Sequence, residues 1–150
     1  MTMLVEPGLI DTNVLVYAAN ADAPQHSAAR RLLHTARDPS VTLYVTSQIL
    51  CEYFSIITNS KRVTRPCSSS EALQMISAIL KLPGVHVLPC PTTTVAALVG
   101  LLRQHLVLAA QTFDLQIVAT MQVNNIQRIY TFNGKDFAEL TDLTVVAPDS

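Results

Sequence analysis

Short apolar strands alternating with helices predict an α/β sandwich built on a largely parallel sheet. Two observations carry that reading. Apolar, often β-branched runs recur along the chain, each leading through Ser, Thr, Asn, Asp or Pro into a segment with helical spacing of its apolar residues. The chain also has 150 residues, a size that buries roughly 68–70% of its unfolded surface around one core. Residues 1–150 are therefore read as a single domain, with no internal repeat or low-complexity segment to suggest otherwise.

The elements follow in order. Gly8-Leu9-Ile10 is a buried strand ending at Asp11, and a helix runs over 14–19. Pro24 suits the first turn of a second helix, which carries Ala28, Ala29, Leu32 and Leu33 on one face. Asp38-Pro39-Ser40 breaks that helix, and residues 41–45 alternate as a strand. Thr46-Ser47 offers an N-cap to a helix bearing Ile49, Leu50, Tyr53, Phe54, Ile56 and Ile57. Ser68–Ser70 and Glu71 open another helix, with Leu73, Met75, Ile76, Ile79 and Leu80 apolar. A strand over 85–88 precedes a helix from Thr92 towards His105. Asp114 heads a helix over 115–123, and strands over 128–131 and 143–146 close the chain.

Composition excludes several classes. Ten basic and eleven acidic side chains give a net charge of −1, too little to hold nucleic acid by bulk electrostatics, though not too little for brief contact. The longest apolar stretch, residues 106–110, is far short of the ~20 residues needed to cross a bilayer. No basic segment followed by an apolar one opens the chain, so no signal peptide and no membrane partner are expected. Cys51, Cys67 and Cys90 show no C-x-x-C pairing and read as free thiols in the cytoplasm. With 49% hydrophobic and only 14% charged residues, apolar surface is left over for a partner or a second copy.

Most acidic residues have ordinary explanations as loop, cap or surface groups. Asp11, Glu52, Asp114 and Asp136 do not dismiss so easily. Asp11 stands at a strand's carboxyl end, Glu52 inside an apolar helix, and Asp114 ahead of another. Asp136 follows the strand that ends at Thr131. For any one aspartate an N-cap is sufficient. Three at strand ends or helix starts of a parallel sheet can instead converge, because such sheets gather ligands there. Converging carboxylates repel unless a cation compensates them. Hard oxygen donors suit Mg²⁺ or Mn²⁺, and such an ion serves phosphodiester hydrolysis.

These segments resemble the PIN-domain ribonucleases, and among them the VapC-type toxins of bacterial toxin–antitoxin pairs. Leu9-Ile10-Asp11-Thr12-Asn13 is similar to the family's opening hydrophobic–Asp–Thr–Asn signature. Thr46-Ser47-Gln48-Ile49-Leu50-Cys51-Glu52 resembles its Ser–x–x–x–x–Glu helix, and Phe113-Asp114-Leu115 its third acidic segment. Arg128-Ile129-Tyr130-Thr131-Phe132-Asn133-Gly134-Lys135-Asp136-Phe137 is similar to its closing element. The resemblance implies a PIN-like three-layer sandwich with helices flanking a central, mostly parallel sheet. It implies a metal-dependent endoribonuclease whose Asp11, Glu52 and Asp114 bind Mg²⁺ or Mn²⁺. Asn133 stands where many members carry Asp, and Asp136 supplies the missing charge in this reading. Asn13, Ser47 and Thr131 match positions that orient carboxylates and water.

The basic run Lys61, Arg62 and Arg65 is either a solvated loop or a set of phosphate contacts to RNA. The implied partners are an RNA substrate, a cognate VapB-like antitoxin and a second copy of the chain. A catalytically impaired PIN-like module that binds RNA or protein is the alternative, and Asn133 is the feature that favours it.

Overall fold

The computed structural model describes residues 4–105, 111–140 and 142–149. The apolar run at 106–110 lies outside them. Five strands form one sheet: β1 (Gly8–Ile10), β2 (Leu43–Val45), β3 (Val85–Val87), β4 (Arg128–Tyr130) and β5 (Thr144–Val146). Their order is β3-β2-β1-β4-β5, and every neighbouring pair is parallel. Helices α1 (Thr12–Ala18), α2 (His26–Thr35), α3 (Ser47–Ile57), α4 (Ser69–Leu80), α5 (Thr93–Gln104) and α6 (Gln111–Val123) flank it. The expected PIN-like α/β sandwich is present.

Burial explains the strand sequences. β1 lies at the centre, and Gly8, Leu9 and Ile10 are all buried, so the strand is apolar throughout rather than alternating. The edge strands β3 and β5 expose part of their residues. Caps explain where helices begin. Thr46 Oγ1 accepts from the Ile49 amide at 3.1 Å, and Ser68 Oγ accepts from the Glu71 amide at 3.1 Å. The α1 helix packs on α2 and α3, α3 on α4, and α5 on α6.

Three local expectations need correction. Pro24 lies in the turn before α2, which opens at His26 behind Gln25. The first helix starts at Thr12, two residues earlier than expected, since Asp11 itself is its cap. The α6 helix already includes Gln111, so Asp114 lies in its first turn and does not cap it. Leu73 and Leu80 of α4 are 57% and 43% exposed, leaving Ala72 and Ile79 as that helix's buried residues.

The sheet order creates the place for a site. From β1 the chain moves outward one way to β2 and β3, and the other way to β4 and β5. The reversal falls between β1 and β4, and a crevice opens beyond their carboxyl ends. The Asp11 amide donates to the Tyr130 carbonyl at 3.0 Å, which brings the residues after both strands side by side.

Candidate active site

The crevice is a cleft of about 890 Å³, lined by Asp11, Glu52, Asp114, Asn133 and Asp136 among others. β1 delivers Asp11 at its end. β2 leads through the Thr46 cap into α3, whose second turn carries Glu52. β4 leads to Thr131 and then Asn133, and a 3-10 turn over Gly134–Phe137 carries Asp136. Phe137 is buried and anchors that turn.

Asp11 is only 6% exposed and does two jobs with its two oxygens. Oδ1 accepts from the Thr12 amide at 2.8 Å and caps α1. Oδ2 accepts from Thr131 Oγ1 at 2.8 Å and Asn13 Nδ2 at 3.1 Å. The braces are themselves held: Asn13 Oδ1 accepts from the Phe132 amide at 3.0 Å, and Thr131 Oγ1 accepts from the Asn133 amide at 3.0 Å. Burial raises the Asp11 carboxyl above the usual range, the bonds from Thr131, Thr12 and Asn13 oppose the rise, and Glu52 adds to it. Asp11 therefore caps α1 and at the same time lines the cleft.

Glu52 is half-buried and held at both oxygens. Oε2 accepts from Thr12 Oγ1 at 2.8 Å and Oε1 from Gln48 Nε2 at 3.0 Å. The same Gln48 amide group donates to the Phe113 carbonyl at 2.9 Å, on the residue before Asp114. The Asp114 carboxyl is pushed up to about 6, first by burial and then by the charges of Asp11, Asp136 and Glu52. Four acidic groups thus share one electrostatic environment, and no cation offsets Asp11 or Asp114 among the described residues. Among those residues no three acidic, His or Cys side chains already close around one point. The carboxylates line a common cleft without forming a cage.

Asn133 and Asp136 are exposed at the cleft's edge. Arg62 also lines the cleft, whereas Arg65 faces a neighbouring depression with Asp22 and Ile57, and Lys61 is exposed. Ser47 is exposed at the start of α3 and makes no side-chain hydrogen bond among the described residues. Its expected place as an orienting residue is taken by Thr12 and Gln48, which the sequence reading passed over. Gln48 lies four residues before Glu52 on a helix, a spacing at which side chains meet, and that was the available signal.

A parallel sheet that reverses at its centre, with oxygen donors gathered at the reversal, defines an acidic-cleft α/β protein. Residues 8–143 match the PIN domain family, and the chain belongs to that family. VapC ribonuclease Mb2897 of Mycobacterium bovis is 34% identical over 74 residues, 49% of this chain and 50% of that protein. The chain spans about half the length of the curated relatives it matches. Among solved structures, VapBC2 from Rickettsia felis, bound to a DNA fragment from its promoter, has a TM-score of 0.65 at 19% identity. It covers 96% of this chain and 100% of that one. VapC20 of Mycobacterium tuberculosis, described as a Sarcin-Ricin loop cleaving toxin, has a TM-score of 0.62 at 19% identity, covering 89% and 95%. At such identities the likeness is one of fold.

Proposed function

We propose that this chain is a metal-dependent endoribonuclease and the toxin of a toxin–antitoxin pair. The observation that carries the reading is the one cleft that Asp11, Glu52, Asp114, Asn133 and Asp136 line together at the sheet's reversal. Among the described residues no basic side chain offsets Asp11 or Asp114, and a divalent cation stabilises carboxylates gathered in this way. The donor set fits Mg²⁺ or Mn²⁺, being all oxygen, with Asp11, Glu52 and Asp114 as holders and Asp136 and Asn133 at the edge. When bound, the ion supplies Lewis acidity towards water and the phosphoryl oxygen.

The chain's own residues do the rest. Thr131 and Asn13 fix the free oxygen of Asp11, and Thr12 and Gln48 fix Glu52. Asp114 would offer its carboxylate to the ion from the first turn of α6. Arg62 supplies positive charge to the RNA backbone within the cleft. In-line hydrolysis would leave 3′-hydroxyl and 5′-phosphate ends without using the 2′-hydroxyl. The relatives named as VapC ribonucleases support the activity. The neighbours solved as toxin–antitoxin complexes support an antitoxin partner. Free Cys51, Cys67 and Cys90 fit a cytoplasmic setting. The apolar stripe Val95, Val99 and Leu102, exposed along α5, supports a homodimer.

The test is cleavage of a mixed single-stranded RNA pool in Mg²⁺, Mn²⁺ and EDTA, beside Asp114→Ala. Cutting that needs metal and is absent from the folded variant is expected. Ends bearing 2′,3′-cyclic phosphate would overturn the mechanism. No cutting by folded, antitoxin-free protein would overturn the activity and favour a binding module with Asn133 as its defect.

A further inference from the structure

We propose that Gln48 is a positioning residue, which fixes the separation between Glu52 and the turn that carries Asp114. The proposal rests on the metal-site reading given above and deepens it. Both hydrogens of the Gln48 amide are used, one on Glu52 Oε1 at 3.0 Å and one on the Phe113 carbonyl at 2.9 Å. Its orientation is fixed by chemistry, because two acceptors face it and only the NH₂ end can satisfy both. One contact lies within α3, four residues along. The other crosses to α6, 65 positions away in the chain.

What this bond joins gives it consequence. Glu52 is tied through Thr12 to the residue beside Asp11, and through Gln48 to the residue before Asp114. Asp11 and Glu52 are thus linked through one residue, Thr12, and Glu52 and Asp114 through two, Gln48 and Phe113. Thr12 is buried and its backbone is set by β1, so the Asp11 side of this chain of contacts is rigid. On the other side α6 is held through its buried face, from Leu115 onward, and Gln48 reaches its half-exposed first turn. Gln48 supplies the link there, reaching a helix whose first turn holds an acid that repels Glu52. Without it, Glu52 loses the donor that holds its Oε1 towards α6, and a cation must re-aim that carboxylate at the expense of its affinity.

Gln48 touches neither substrate nor ion in this account, so its loss acts on metal binding rather than on RNA binding. The variants are Gln48→Met, which keeps the stem and removes the donors, and Gln48→Ala, which suits a helix. Mn²⁺ binding is measured by calorimetry at a temperature where circular dichroism shows all proteins folded. Kd for Mn²⁺ is expected to weaken about tenfold or more in both variants, the usual effect of removing a residue that orients a ligand. At saturating Mn²⁺, KM for RNA stays at the wild-type value and kcat recovers most of its loss. Unchanged Mn²⁺ affinity in folded variants overturns the proposal and leaves the metal-site reading intact. Failure of both variants to fold assigns Gln48 to stability alone and also overturns it. A wild-type chain that binds no Mn²⁺ overturns the metal-site reading, and the proposal with it.

Discussion

Asp114 holds its proton more tightly when folded than when unfolded, where its carboxyl titrates at 3.8 rather than about 6. In the metal-free chain its contribution to stability is therefore full below about pH 4 and lost as pH rises through about 6. Asp114→Asn removes the charge and keeps the shape. The Tm difference between this variant and the wild type should be small near pH 4 and grow in the variant's favour to a plateau above about pH 7. A difference that does not change with pH would place Asp114 in ordinary solvent. The same residue shows what a sequence can conceal. Its spacing fitted an N-cap as well as a cleft residue, and its place inside the first turn of α6 rules out the cap. Asp11 needed no such choice, since one oxygen caps while the other faces braces from β4.

At the scale of elements, the strands and the starts of α3, α4 and α5 were legible because local chemistry decides them. Apolar runs become central strands, and Thr46 and Ser68 cap the helices that follow. What was not legible depended on contacts far apart in the chain. Ser47 fitted a motif but faces solvent, while Gln48, one residue on, reaches Phe113 across to α6. The junction of α2, β2 and β3 is another such place. Gly84 donates to the Ala36 carbonyl at 2.7 Å and accepts from the Leu43 amide at 2.8 Å. A Cβ there would stand 2.7 Å from the Val41 carbonyl and 2.9 Å from Ala36, all backbone atoms that cannot swing aside. Gly84→Ala should cost about 3 kcal/mol in urea unfolding, at the upper end of overpacking effects. Gly100, inside α5 with nothing within 4 Å of its Cβ position, is the contrast. Gly100→Ala should stabilise by about 0.5–1 kcal/mol through helix propensity. A neutral Gly84→Ala would mean that α2 and β3 pack less closely than described.

For the whole molecule, low charge and high apolar content already pointed to covered surface. The exposed residues Val95, Val99 and Leu102 recur at helical spacing on α5 and concentrate that surplus in one stripe. Light scattering of the purified chain should give twice the 16.3 kDa monomer mass. Val95→Glu with Val99→Glu should give the monomer with unchanged helical content, because neither side chain belongs to the core. A wild-type monomer would show that the stripe serves another partner.

The arrangement of the sheet also dates the appearance of the cleft. β4 pairs with β1 across more than a hundred residues, and Thr131, which steadies Asp11, arrives only with β4. The four acids come from positions 11, 52, 114 and 136, so no fragment of the chain contains them all short of nearly its full length. A nascent chain emerging from its own synthesis therefore carries no finished acidic cleft until its final portion has docked. Long-range pairing of this kind is also slow to form. Under the proposed function, RNA cleavage waits for this last docking step, and an antitoxin has that interval in which to bind.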